Sequence, residues 1–148
     1  MMETIVKHGG ACMHVTGFFA YRDLPCGEAS ARAFLAQYQS TGVLDFADCL
    51  GVYRARIDRE DGTAVWFADN YGGSSFFINW QTGTISPSLY ESAAPEERKP
   101  NPVAIAEFLY FGCTYSYDTI FSGVTRSDPD CYYVWLLYTS PSPRDTER

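Results

Sequence analysis

Leu50–Ser86, LGVYRARIDREDGTAVWFADNYGGSSFFINWQTGTIS, is the stretch that decides the fold. Tyr53, Ala55 and Ile57 alternate with Arg54 and Arg56, the period of two expected of a strand buried on one face. Asp61-Gly62 follows, and the run Asp58–Gly62 suits a hairpin loop longer than two residues. Val65-Trp66-Phe67-Ala68 is apolar throughout, the pattern of a strand covered on both faces. Asp69-Asn70-Tyr71-Gly72-Gly73 makes a second turn, Ser74–Ile78 a third strand, and a turn centred on Gly83 leads into a short fourth. The expectation is a four-stranded meander.

Upstream, Glu3–His8 reads as an edge strand, broken by Gly9-Gly10. Cys12–Tyr21 reads as a second strand, and Gly17 inside it marks a bulge or a close backbone approach. Gly27–Gln39 is a helix candidate with Ala31, Phe34, Leu35 and Tyr38 on one face, stopped by Gly42. A short helical turn is expected over Phe46–Cys49. Downstream, Pro87–Pro102 holds four prolines and several charges, the composition of a surface linker. Asn101-Pro102 then opens a helix, because Asn caps free N–H groups and Pro at the first position loses no hydrogen bond. Ile105, Phe108 and Leu109 form its expected inward stripe, and Gly112 ends it. The fold class that results is α+β, antiparallel β-sheet layers with flanking helices.

Composition limits what such a fold can do. The chain has 148 residues, 46% of them hydrophobic and 16% aromatic, enough for a real core. A net charge of −7 argues against nucleic acid or an anionic membrane as the main partner. No apolar run reaches the length of a membrane span, and the first ten residues carry no signal-peptide core. Cys12, Cys26, Cys49, Cys113 and Cys131 are odd in number and lack a Cys-x-x-Cys pair, so reduced and mostly buried thiols in a cytoplasmic protein are expected.

Two segments carry a family resemblance. Leu50–Asp58 followed by Phe67–Phe77 resembles the late glutaminase-half region of asparagine synthetases, where the pattern runs Leu-x-Gly-x-Phe-Ala-Phe-Ala and then Ala-Arg-Asp-x-x-Gly-x-x-Pro-Leu-Tyr-Tyr. Asn101–Gly112, then Thr119–Arg126 and Cys131–Val134, resembles the link between the two halves of those enzymes, with Ser127-Asp128-Pro129-Asp130 in place of their Pro-Pro-Gly turn. The resemblance implies an incomplete class II glutamine amidotransferase-like fold, of the N-terminal-nucleophile hydrolase kind. It divides the chain into a degenerate amidotransferase-like domain (1–90), a linker helix with the start of the synthetase connection (91–135), and a tail (136–148). Leu136–Asp145 itself resembles a translated sequencing adapter, so the tail is expected to be non-native.

The same resemblance places the site residues. The family's nucleophile is a cysteine at position 2, with its own α-amine as base; Met2 stands there, and a thioether cannot attack an amide carbonyl. The Arg-Gly-Pro-Asp motif that holds the glutamine carboxylate has no counterpart. His14–Phe19 matches loosely the strand Val-Asn-Gly-Glu-Ile-Tyr, which puts Thr16 at the oxyanion-hole Asn and retains Gly17, while Ser30 falls where the family binds glutamine's amino group. No glutaminase activity is expected. ATP and Mg belong, by the resemblance, only to a synthetase half, and no cofactor is expected in this chain.

Read from the residues alone, Cys12 and His14 lie two apart on a strand and share a face, as a thiol nucleophile and its base would. With His8 they form a weak metal-ligand set, lacking zinc-type spacing. A packed cysteine and a surface histidine are the plainer account. Asp69 with Gly72-Gly73 is a turn before it is a phosphate loop. Tyr115, Tyr117, Tyr132, Tyr133 and Trp135 form an aromatic group read as core or as a docking surface. Three functions follow: a non-catalytic scaffold and interface domain of an asparagine-synthetase-like protein, a small protein-binding module, or a Cys12/His14 thiol hydrolase. The partner expected for the first is a synthetase domain, or a second copy through residues 101–134.

Overall fold

The computed structural model describes residues 3–136 and 146–147. Among these residues nine strands, β1 (Glu3–His8), β2 (Ala11–Tyr21), β3 (Cys49–Asp58), β4 (Thr63–Ala68), β5 (Phe77–Asn79), β6 (Ile85–Ser86), β7 (Val124–Arg126), β8 (Tyr132–Leu136) and β9 (Thr146–Glu147), accompany two α-helices, α1 (Glu28–Thr41) and α2 (Pro102–Phe111). The strands make a six-stranded sheet in the order β1-β2-β3-β4-β8-β9 and a three-stranded sheet β6-β5-β7. Every pairing is antiparallel. The architecture is α+β, as expected.

Alternation along the strands builds the main core. Met13, Val15, Phe19 and Tyr21 of β2, Tyr53, Ala55 and Ile57 of β3, and Val65 and Phe67 of β4 point to one face and are buried there. α1 covers that face with Ala31, Phe34, Leu35 and Tyr38, the stripe read from its spacing. Phe34 is the centre: its ring lies edge-on to Phe19 and Tyr21 at 5.6 and 5.3 Å, and tilted on Phe67 at 5.5 Å. α1 ends at Gly42, whose N–H donates to the Tyr38 carbonyl at 2.7 Å. The opposite face of β4 and β8 is covered by the small sheet, which joins Ala68, Phe76, Ile78, Tyr133 and Trp135 in a second core. β4 is thus covered on both faces, as its apolar run required.

Three expectations are corrected. The meander ends after β3–β4. Asp69 is buried, and its carboxylate accepts N–H bonds from Tyr71, Gly73 and Ser74 at 3.1, 2.9 and 2.7 Å, which fixes a wide turn rather than a hairpin. The chain leaves the sheet there; β5 pairs with β6 and β7, and β8 takes the vacated edge of β4. The segment before β3 is a simple turn closed by Cys49 N–H to the Phe46 carbonyl at 3.1 Å, not a helical turn.

α2 is the third correction. Its start is as expected, with the Asn101 side chain accepting from Ala104 N–H, but its stripe does not face inward. Ala104 alone is buried; Phe108 and Leu109 are 55% and 78% exposed. The reason is that α2 packs against no other helix or strand among the described residues. It hangs on its flanking loops, through Asn101 N–H to the Ile120 carbonyl (2.8 Å) and Tyr115 N–H to the Glu107 carboxylate (3.1 Å). Residues 91–135 therefore supply an unpacked helix and also one strand to each sheet. In the tail, Leu136 closes β8 and Thr146–Glu147 pair with it; the other tail residues lie outside the described ones.

Candidate functional site

The outer face of β2 and β3, which neither α1 nor the small sheet's core covers, holds most of the residues singled out by sequence. Register sets Cys12 opposite Asp58, His14 opposite Arg56 and Thr16 opposite Arg54, so six polar side chains stand in two columns. Cys12 Sγ lies 3.4 Å from His14 Nε2, which brings the proposed thiol and base into contact. Asp58 Oδ2 lies 3.5 Å from the same Nε2, and Arg56 grips Asp58 with two bonds of 2.5 and 2.8 Å.

This arrangement supplies the third group that the sequence did not show, but on the wrong nitrogen. A working base takes the thiol proton on one ring nitrogen while a carboxylate holds the other N–H. Here one Nε2 meets both partners. Neutral, it either accepts from the thiol or donates to Asp58, never both at once. The contact is a polar cluster on a sheet face, without the relay that nucleophilic catalysis uses.

Gly17 and Ser30 sit elsewhere for structural reasons. Gly17, at φ 110°, lies against β3 so closely that a Cβ would stand 2.3 Å from the Val52 carbonyl oxygen. Ser30 is buried at the start of α1, where its Oγ accepts from Tyr21 N–H at 3.0 Å and donates to the Pro25 carbonyl at 2.7 Å. It braces the link from β2 to α1, on the helix-covered side of the sheet. Of the residues carried over from the resemblance, only Thr16 belongs to the polar face. Met2 lies outside the described residues.

Away from this face, burial holds a thiol and several tyrosine hydroxyls in their neutral forms. Burial pushes the Cys49 thiol up to about 12, and the Tyr53 hydroxyl rises for the same reason. Burial also pushes Tyr21 up to about 12, helped by the Asp45 carboxylate that its hydroxyl donates to at 2.9 Å. All five cysteines are free, yet none is fully buried: Cys26 and Cys113 are exposed and the others half-buried, contrary to the expectation of packed thiols. Exposed short loops after β2 and α2 carry those two, which removes them from the core. No group of three or more His, Cys, Asp or Glu among the described residues is placed to hold a metal ion.

Sequence reasoning passed over Arg54, Arg56, Asp58 and Trp66 as a site. The signal was available in Arg54 and Arg56, charged residues alternating with core residues, which had to share the uncovered face. A cleft of about 180 Å³ runs over this face, bounded by Thr16, Arg54, Trp66 and Pro87 among others. A larger apolar hollow of about 550 Å³ lies on α2, lined by Pro102, Val103, Ala106, Tyr110 and Phe111. No helix among the described residues is long and apolar enough to cross a membrane. No family model, no curated protein and no solved structure matches the chain.

Proposed function

We propose that this chain is a non-catalytic scaffold and interface domain, and that α2 and the loop after it are its docking segment. The carrying observation is the unpacked apolar helix. Val103, Phe108, Leu109, Tyr110 and Phe111 are 66%, 55%, 78%, 85% and 58% exposed, and Tyr115 adds another exposed ring edge-on to Phe111 at 4.9 Å. Contiguous apolar surface of this kind is characteristic of sites that meet another protein. The shared Nε2 contact of Cys12 and Asp58 supports the non-catalytic half of the reading.

The resemblance to asparagine synthetases supplies the occupant: a class II amidotransferase-like domain whose linker helix meets an ATP-dependent, amide-forming half in the cytoplasm. The free state of all five cysteines supports that setting. The isolated chain, offered no such half, covers α2 with a second copy of itself. Between Pro100 and Tyr117 the only charged side chain is Glu107, so this is where two chains of net charge −7 meet with least repulsion.

Light scattering over a concentration series tests the docking role. The parent chain self-associates, and a Tyr110→Ser, Phe111→Ser double mutant, which keeps both cores intact, does so at least roughly tenfold more weakly. That estimate is conservative, since burying one large apolar side chain contributes about 1.5–3 kcal/mol. A parent that stays a monodisperse monomer at high concentration overturns the docking role of α2.

A further inference from the structure

The polar face of β2 and β3 presents an arginine with an unused guanidinium. Among the described arginines, Arg22, Arg32 and Arg56 pair with carboxylates. Arg59, Arg98 and Arg126 stack on Tyr38, Tyr90 and Tyr117. Arg54 does neither. Its single bond is a long one, Nη1 to the Ser75 carbonyl at 3.5 Å, and it is half-buried in the wall of the cleft. In a chain with 18 acidic residues and 11 basic ones, a half-buried guanidinium left over after internal pairing is a place for an outside anion.

The surroundings choose the anion. Thr16 stands opposite Arg54 across the β2–β3 pair and lines the same cleft, so a hydroxyl donor sits beside the fork. Glu3 lies at the rim, and Arg56 is already neutralised by Asp58. Arg54 is thus the guanidinium of this face without a carboxylate partner, which suits one negative charge, while a second charge on the same anion would stand unpaired near Glu3. Trp66 and Pro87 give the lining its apolar part, the Arg56 guanidinium lying over the Trp66 ring at 5.4 Å. The cleft, at about 180 Å³, has room for a body of ring size; a cavity of about 150 Å³ is known to take benzene. We infer that this cleft binds a small organic monocarboxylate, its carboxylate on Arg54 and Thr16 and its apolar body against Trp66 and Pro87. The inference does not depend on the docking role of α2, which lies on a different surface.

The test is an NMR titration of the full chain with sodium benzoate, and in parallel with benzamide and inorganic phosphate at matched ionic strength. Benzoate binds saturably and shifts amides around Thr16, Arg54 and the Trp66 side chain, while benzamide and phosphate bind at least about tenfold more weakly. Arg54→Gln lowers benzoate affinity at least about tenfold, and Arg54→Lys, which keeps the charge but not the fork, falls between. Thr16→Val gives a smaller loss and guards against a folding defect in the arginine variants. Absence of saturable benzoate binding by the parent overturns the inference. So does binding that shifts α2 instead, an unchanged affinity in Arg54→Gln, or phosphate binding as tight as benzoate.

Discussion

Phe34→Ala lowers the stability of the domain by about 3–5 kcal/mol, read as the midpoint shift in urea at constant slope. Phe34 has no exposed surface and touches two rings of β2 and one of β4. Removing it leaves a hole bounded by Phe19, Tyr21 and Phe67, none of which can collapse inward without leaving its own strand. Ring-edge contacts with two partners add to the transfer term. A domain of this size has about 5–15 kcal/mol in total, so the variant stands near the limit of folding. Phe108→Ala on α2 is the internal control: its side chain is exposed, and its loss shifts the midpoint by less than about 1 kcal/mol. Equal effects of the two would mean that the aromatic cluster under α1 is not the core.

Gly51→Ala is the second large effect, about 3 kcal/mol or more. Gly51 has φ 125°, and a Cβ on it would stand 2.0 Å from the Phe18 carbonyl oxygen. Across the pair, Gly17 repeats the geometry toward the Val52 carbonyl oxygen at 2.3 Å. Both obstacles are backbone, so the strands themselves must separate, and with them Phe19 and Tyr53, whose rings meet at 4.7 Å. Gly72→Ala is the comparison: φ is 69° and nothing lies within 4 Å, so only the backbone strain of about 1 kcal/mol applies. Thermal unfolding of the three variants separates the cases. A Gly51→Ala midpoint close to that of Gly72→Ala would show that β2 and β3 do not approach so closely. This also explains Gly17 without any oxyanion hole, because the strand pair alone requires it.

The elements legible in the sequence were those whose two faces differ. Tyr53, Ala55 and Ile57 against Arg54 and Arg56 define a strand and its buried face, and Ala31, Phe34, Leu35 and Tyr38 define a helix and its core side. What alternation does not encode is the partner. Val65–Ala68 declared itself covered on both faces, but which strand lies beside it depends on where Asp69 sends the chain, and that depends on one buried carboxylate collecting three N–H groups. The α2 stripe failed for a related reason. Periodicity names the residues that share a face, but not whether anything stands opposite them. At the polar face, Cys12 and His14 were readable from their spacing, whereas Asp58 and Arg54 joined them only through cross-strand register.

The exit of the chain at Asp69 also sets an order of events. β4 meets β3 through a turn, Ala64 facing Asp58, but it meets β8 only after the whole small sheet and α2 have been traversed, Trp66 facing Tyr133. The first closure spans about six residues and the second about seventy, an extra loss of chain freedom worth about 2 kcal/mol before any contact repays it. Strand β8 therefore docks late, after β1 to β4 and α1 have assembled, and β4 spends that interval with an unpaired apolar edge. Substitutions at Tyr133 or Val134 will speed unfolding while leaving the folding rate almost unchanged, whereas those at Phe34 will slow folding. The interval in which β4 waits for its neighbour is the moment at which this chain is most exposed to pairing with the wrong one.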